Sequence, residues 1–171
     1  MKNFHSGNNL YKITNSNYTI AEMSKRDYLT NDITNIIENA NVLLIPNETY
    51  ADYPVFPENT ISFYNYLKEK TKDNNVIIDV CIDDENYKEL EMHDAVVILS
   101  SIILQEPFYS IIVNVISNYI YDLMKVKGEK TLTIKTDILV EKNGETKKIH
   151  YDGPAEEFDK TMKSIKKNIL W

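Results

Sequence analysis

Three short runs of β-forming, mostly apolar residues set the terms for this chain: Val42-Leu43-Leu44-Ile45, Val76-Ile77-Ile78-Asp79-Val80-Cys81-Ile82 and Ala95-Val96-Val97-Ile98-Leu99. Each is too short for a stable helix, and apolar residues occupy both alternating positions, so each reads as a strand covered on both faces. Covering both faces of a sheet takes helices, and helical patterns lie between and after the runs. Leu29, Ile33, Ile36 and Ile37 share one face of a helix from about Tyr28 to Asn39. Ile61, Tyr64 and Leu67 mark another to about Lys70, capped by Asn59 or Thr60. The segment from Asn47 to Asn59, with Pro54 and Pro57, reads as an irregular loop, and residues 86–92 as a short helix or turn.

The second half of the chain carries the clearest turn signal. Lys142-Asn143-Gly144 separates the β-rich runs 131–140 and 145–151, and Asn-Gly in that setting predicts a hairpin. Pro107 opens a long helix to about Val126, where its missing N–H costs nothing, and Gly128 ends it. Asp152-Gly153-Pro154 starts a last helix with Phe158, Met162, Ile165 and Ile169 on one side and Lys160, Lys163, Lys166 and Lys167 on the other. The order predicts an α/β (α+β) fold: a mixed sheet, parallel βαβ early and an antiparallel hairpin late, with helices packed on it. Residues 41–171 read as a single α/β domain. Residues 1–40 read as an N-terminal arm and helix, with short strands at Leu10–Ile13 and Tyr18–Ile20 or an arm laid over the body.

Composition excludes several classes of function. Among 171 residues, 19 basic side chains face 26 acidic ones, for a net charge of −7. Arg26 is the sole arginine, so bidentate forks for phosphate or base edges are nearly absent and specific nucleic-acid binding is not expected. Four glycines, at 7, 128, 144 and 153, cannot build a Gly-rich phosphate loop. A lone cysteine, Cys81, excludes an internal disulfide and reads as a buried thiol. The polar start has no secretory apolar stretch, and the apolar run near Gln105-Glu106-Pro107 is interrupted, so a cytoplasmic protein without a membrane span is expected. The 22 Ile, 19 Asn, 18 Lys and 12 Tyr, all with A- and T-rich codons, point to an AT-rich bacterial or phage genome.

Two sets of residues are candidates for function, and no catalytic residue, metal set or cofactor is assigned. The first is on the long helix, where Ser110, Asn114, Ser117, Asn118 and Tyr121 form an uncharged polar stripe. A helix facing water normally displays charge there. The stripe therefore suits contact with another chain, or a covering by the N-terminal arm. Ser110, Asn114, Ser117, Tyr121 and the terminal Trp171 are the proposed contacts. The second set lies after the first two strands. Asp83, Asp84 and Glu85 leave the carboxyl end of a buried strand, with Glu48, Tyr50, Asp52 and Tyr53 in the loop after the neighbouring one; open α/β sheets place ligands at such ends. Ser100 and Ser101 lack a nucleophile elbow, and the histidines are His5, His93 and His150.

Residues 42–171 resemble the effector-associated constant component family of bacterial conflict systems. The similarity runs through Asp94–Leu99, the long apolar helix, Thr131–Val140, the Lys142-Asn143-Gly144 turn and the terminal helix after Tyr151-Asp152-Gly153-Pro154. The resemblance implies a non-enzymatic accessory domain that couples sensing and effector modules. Together with the absent catalytic motifs, the uncharged stripe and the uneven charge, the expectation is an oligomeric protein–protein interaction component of a defence or mobile-element system, partnered by itself or by a neighbour-encoded protein. Two other readings stay open: a Rossmann-like domain binding a small molecule or nucleotide, as sensor or enzyme, and a phage-encoded inhibitor whose acidic surface imitates nucleic acid. Residues 38–106, with 14 acids against 4 bases, carry the last of these. Residues 1–124 hold 18 acids and 8 bases, whereas residues 125–171 hold 8 and 11, which makes the molecule dipolar.

Overall fold

The computed structural model describes residues 4–5, 10–91, 96–128, 132–168 and 170. The chain runs β1 (Phe4–His5), β2 (Tyr11–Ser16), α1 (Ile20–Met23), α2 (Asn31–Glu38), β3 (Val42–Ile45), β4 (Phe56–Pro57), α3 (Thr60–Thr71) and β5 (Ile78–Val80). It continues with β6 (Glu89–Leu90), β7 (Val96–Ile98), β8 (Ser101–Gln105), α4 (Tyr109–Lys127), β9 (Thr133–Lys142), β10 (Glu145–Pro154) and α5 (Phe158–Asn168). The main sheet has the order β1-β2-β10-β9-β8-β3-β5, with β7 also on β9. Parallel pairing joins β3 to β5 and β7 and β8 to β9, while β3–β8, β9–β10, β10–β2 and β1–β2 are antiparallel. The fold is α/β with a mixed sheet, as the sequence predicts.

Strand alternation divides the core into two layers. Val42 and Leu44, Ile102 and Leu104, and Ile134, Ile138 and Val140 face the layer of α3, α4 and α5. Leu43, Ile45, Ile103 and Leu139 point the other way, against Ile20 and Met23 of α1 and Ile37 of α2. On β3 all four residues are buried, the signature of a strand covered on both sides. The helices α1 and α2 shield only part of their face. Over β2, β10 and the start of β9 that face is open.

Several elements differ from expectation for identifiable reasons. Tyr18–Ile20 is not a strand: the Thr19 hydroxyl accepts from the Glu22 N–H at 3.0 Å, and α1 begins at Ile20. Thr19-Ile20-Ala21-Glu22 has the spacing of a capping box. Among the described residues of the N-terminal segment, Tyr11–Ser16 form β2, paired along β10, and Phe4–His5 pair with β2, rather than forming an arm over α4. The helix expected at residues 28–39 is shorter, Asn31–Glu38, because Asp83 caps it from outside. The loop after Pro46 folds back through an Asn47–Val55 bridge into β4, which pairs with β6 in a separate small sheet; where a short helix or turn is expected at 86–92, the 3-10 turn Asp84–Asn86 is followed by the strand β6 at Glu89–Leu90. A 3-10 turn, Glu106–Phe108, carries Pro107 into α4. The central strand β8 was not expected at all. A one-residue bulge between β7 and β8 separates them: Val96–Ile98 pair with Thr133–Lys135, but Ile102 already pairs with Ile138.

Candidate functional site

The acidic set does not converge on one cleft, because its half-buried member Glu48 and its buried member Asp83 hold the fold together. The Glu48 carboxylate takes hydrogen bonds from Arg26 Nε at 2.8 Å, the Tyr28 hydroxyl at 2.8 Å and the Tyr18 hydroxyl at 3.2 Å. Arg26 also lies over the Tyr18 ring, 5.2 Å from its centroid. The sole guanidinium thus ties the segment between α1 and α2 to the loop after β3. Burial pushes the hydroxyl pKa of Tyr28 well up, and the nearby Cys81 and Glu48 add to the rise. Asp83 is spent in a similar way: its two oxygens accept from the backbone N–H and the hydroxyl of Thr30, at 2.9 and 2.8 Å, at the start of α2. Cys81 is fully buried, and burial raises its thiol to about 12.

The remaining members of that set sit on the surface. Asp52, Asp84 and Glu85 are exposed, as is Tyr50, and Tyr53 stacks under the Lys88 ammonium at 4.2 Å from the ring centroid. Among the described residues no three His, Cys, Asp or Glu side chains are grouped as a metal ion would need. His93 and Asp94 lie outside the described residues.

The stripe on α4 is placed differently. Tyr109, Ile112, Val113, Val115, Ile116 and Ile120 are buried against the sheet and the neighbouring helices. Ser110, Asn114, Asn118 and Tyr121 are exposed and Ser117 is half-buried, so among the described residues the stripe lies on the outer side of the helical layer, without cover from β2. Ser117 donates to the Val113 carbonyl of its own helix at 2.8 Å, and Ser110 accepts from Lys166 of α5. Beside the stripe a groove of about 250 Å³ runs between α4 and the start of α5, lined by Ile120, Tyr121, Met124 and Phe158. Trp171 lies outside the described residues.

A second cluster was not singled out from the sequence. On the open part of the sheet, Lys12 of β2 pairs with His150 of β10, and His150 pairs with Asp137 of β9. His150 Nδ1 lies 2.6 Å from Asp137 Oδ1, and Lys148 Nζ lies 3.7 Å from the other carboxylate oxygen. A groove of about 390 Å³ extends from Asp137 and Lys148 past Thr14 and Ser16 to the turn at Asn47–Thr49. Ser101 lines it too, but on β8, the strand on the far side of β9 from β10. The carboxylate therefore stands between hydroxyl and imidazole, whereas a nucleophilic triad needs the imidazole in the middle.

Among the described residues no helix is long and apolar enough to cross a membrane. No family model, curated protein or solved structure matches this chain, so its function is argued from the fold and from the placement of these side chains.

Proposed function

We propose that the protein is a non-enzymatic interaction component that associates with a second copy of itself through the outer face of α4, within a bacterial defence or mobile-element assembly. The observation that carries this reading is the uncharged exposed surface of α4. From Tyr109 to Tyr121 the helix has no charged residue, although charged residues make up 26% of the chain. Ser110, Asn114, Ser117 and Tyr121 recur along one side of it, and short polar side chains let a second helix approach closely without stripping water from ions. Tyr121, with 58% of its surface exposed, stands at the edge of the Ile120–Met124–Phe158 groove. An aromatic side chain with an apolar body and a polar tip beside a groove that is mostly apolar, though Ser117, Glu156 and Asp159 also line it, is a good anchor for an interface. The basic charge of residues 125–171 against the acidic remainder supports an oriented association. The resemblance to accessory components of conflict systems agrees with this reading and supplies its biological setting.

Size-exclusion chromatography with light scattering across the micromolar range tests it. The wild type is expected to exceed the mass of one chain, and Asn114→Lys and Tyr121→Glu to fall back toward it. A wild type that stays at one-chain mass throughout, and that retains no protein encoded beside it, refutes the proposal.

A further inference from the structure

The open half of the sheet carries three lysines and a histidine beside acids that pair with them, in a molecule that is acidic as a whole. Alternation along β2, β9 and β10 sends Ile13, Ile134, Ile138, Ile149 and Tyr151 into the core beneath α4 and α5. The intervening residues come out on the other face: Lys12 on β2, Lys135 and Asp137 on β9, and Lys148, His150 and Asp152 on β10. Three ammonium groups and an imidazole thus share one surface with two carboxylates, in a chain of net charge −7. Both carboxylates are engaged, Asp152 with Lys135 at 3.8 Å and Asp137 with His150 at 2.6 Å and Lys148 at 3.7 Å. The nearby acids are also satisfied. Glu48 is held by Arg26, and Glu141 accepts the Ile20 N–H at the start of α1 at 3.0 Å.

Asp137 organises the cluster. By holding Nδ1 of His150 at 2.6 Å it leaves Nε2 as the outer ring nitrogen, a donor to a phosphate oxygen in the imidazolium form, and its other oxygen lies 3.7 Å from the Lys148 ammonium at the end of the groove. From there the groove is lined by hydroxyl and amide groups, Thr14, Ser16, Asn47 and Thr49, with the Tyr18 ring and the Arg26-paired Glu48 carboxylate at its side and Ile45 and Leu139 also lining it. Its volume of about 390 Å³ falls in the range of small-molecule sites. Lysine binds phosphate as a point charge, and a lining of hydroxyls and amides fits the sugar and base edges of a nucleotide. A long polyanion is disfavoured by the acidic remainder of the molecule and by the presence of a single arginine.

We infer that the open face of β2, β10 and β9 binds a small phosphorylated molecule of nucleotide size, its phosphate at Lys148, His150 and Lys12 and its polar body along Thr14, Ser16 and the Asn47–Thr49 turn. The site lies across the sheet from α4 and does not depend on association through that helix.

Isothermal titration of the full chain with adenosine 5′-monophosphate and uridine 5′-monophosphate tests this, with inorganic phosphate and adenosine as partial ligands. The nucleotides are expected to bind more tightly than either partial ligand. Lys148→Met and His150→Gln, at half-exposed positions that the core does not need, are expected to weaken binding about tenfold or more, with far-UV circular dichroism unchanged. Asn114→Lys is expected to bind as the wild type does, even where it alters the mass in solution. Absence of nucleotide binding at millimolar concentration overturns the inference, as does equal binding by the Lys148 and His150 variants. Phosphate binding as tightly as the nucleotides would overturn the role given to the groove.

Discussion

At Glu48 one carboxylate accepts three donors from a segment some twenty to thirty residues earlier in the chain: Tyr18, Arg26 and Tyr28. The ion pair is mostly shielded, with 28% of the Arg26 side chain and 20% of the Glu48 side chain accessible. Truncating one partner of such a pair leaves the other charge half-buried and uncompensated, which costs more than the pair contributes when intact. Glu48→Ala is therefore expected to lose about 2–3 kcal/mol of stability, read as a lower urea midpoint with an unchanged slope. A midpoint equal to that of the wild type would show that the clamp is solvated after all. Sequence reasoning placed Glu48 correctly in the loop after β3 but assigned it to a ligand. The signal for the structural role was present in composition: a lone arginine with tyrosines eight residues before and two after it is a guanidinium supplied with stacking and hydrogen-bonding neighbours.

Among the elements, the β9–β10 hairpin shows how far local chemistry reaches. Asn143 and Gly144 both have positive φ, 53° and 82°, as a two-residue type I′ turn requires. Gly144→Ala is expected to destabilise by about 1–2 kcal/mol, measured by chemical denaturation, because an L side chain must be held in the left-handed region. No change in the midpoint would mean that the turn relaxes to another type. The turn was legible because its signal lies within a few residues, and so were β3, β5 and Gly128 closing α4 with φ 60°. The core face of α3 was not: of Ile61, Tyr64 and Leu67 only Leu67 is buried, beside Thr60, Phe63 and Thr71, while Ile61 is exposed. What could not be read depended on distant partners. β8 merged with the apolar residues before it, since nothing in Ser101–Gln105 announces the bulge that separates it from β7. The two-residue strands β4 and β6 exist because each has the other. The open-face cluster was illegible for the same reason: residues 12, 137, 148 and 150 meet through the strand order β2-β10-β9, and no periodicity encodes which strand lies beside which.

Taken whole, the molecule buries protons that strong base would remove. Burial raises the Cys81 thiol from 9.0 to about 12. Burial also pushes up the hydroxyls of Tyr28, Tyr109 and Tyr151. Unfolded, these groups ionise at their ordinary values; folded, they stay neutral to higher pH. The unfolded state therefore sheds protons first, and stability that is complete below about pH 9 declines as pH climbs toward about 12. Urea midpoints are expected to fall steadily across that window, and a flat profile between about pH 8 and pH 11 would contradict it. The layered architecture carries one more consequence, through the bulge. Val97 and Ile102 are five apart, an odd separation that in a regular strand would put them on opposite sides; the extra residue lets both look toward α4. Dropping one codon at Leu99 or Ser100 would forfeit a buried residue but keep the alternation on either side in phase, whereas the same loss in the middle of β9 would shift every later side chain of that strand to the opposite face. The kink is thus a place in this sheet where the chain can lose a residue without inverting the faces on either side.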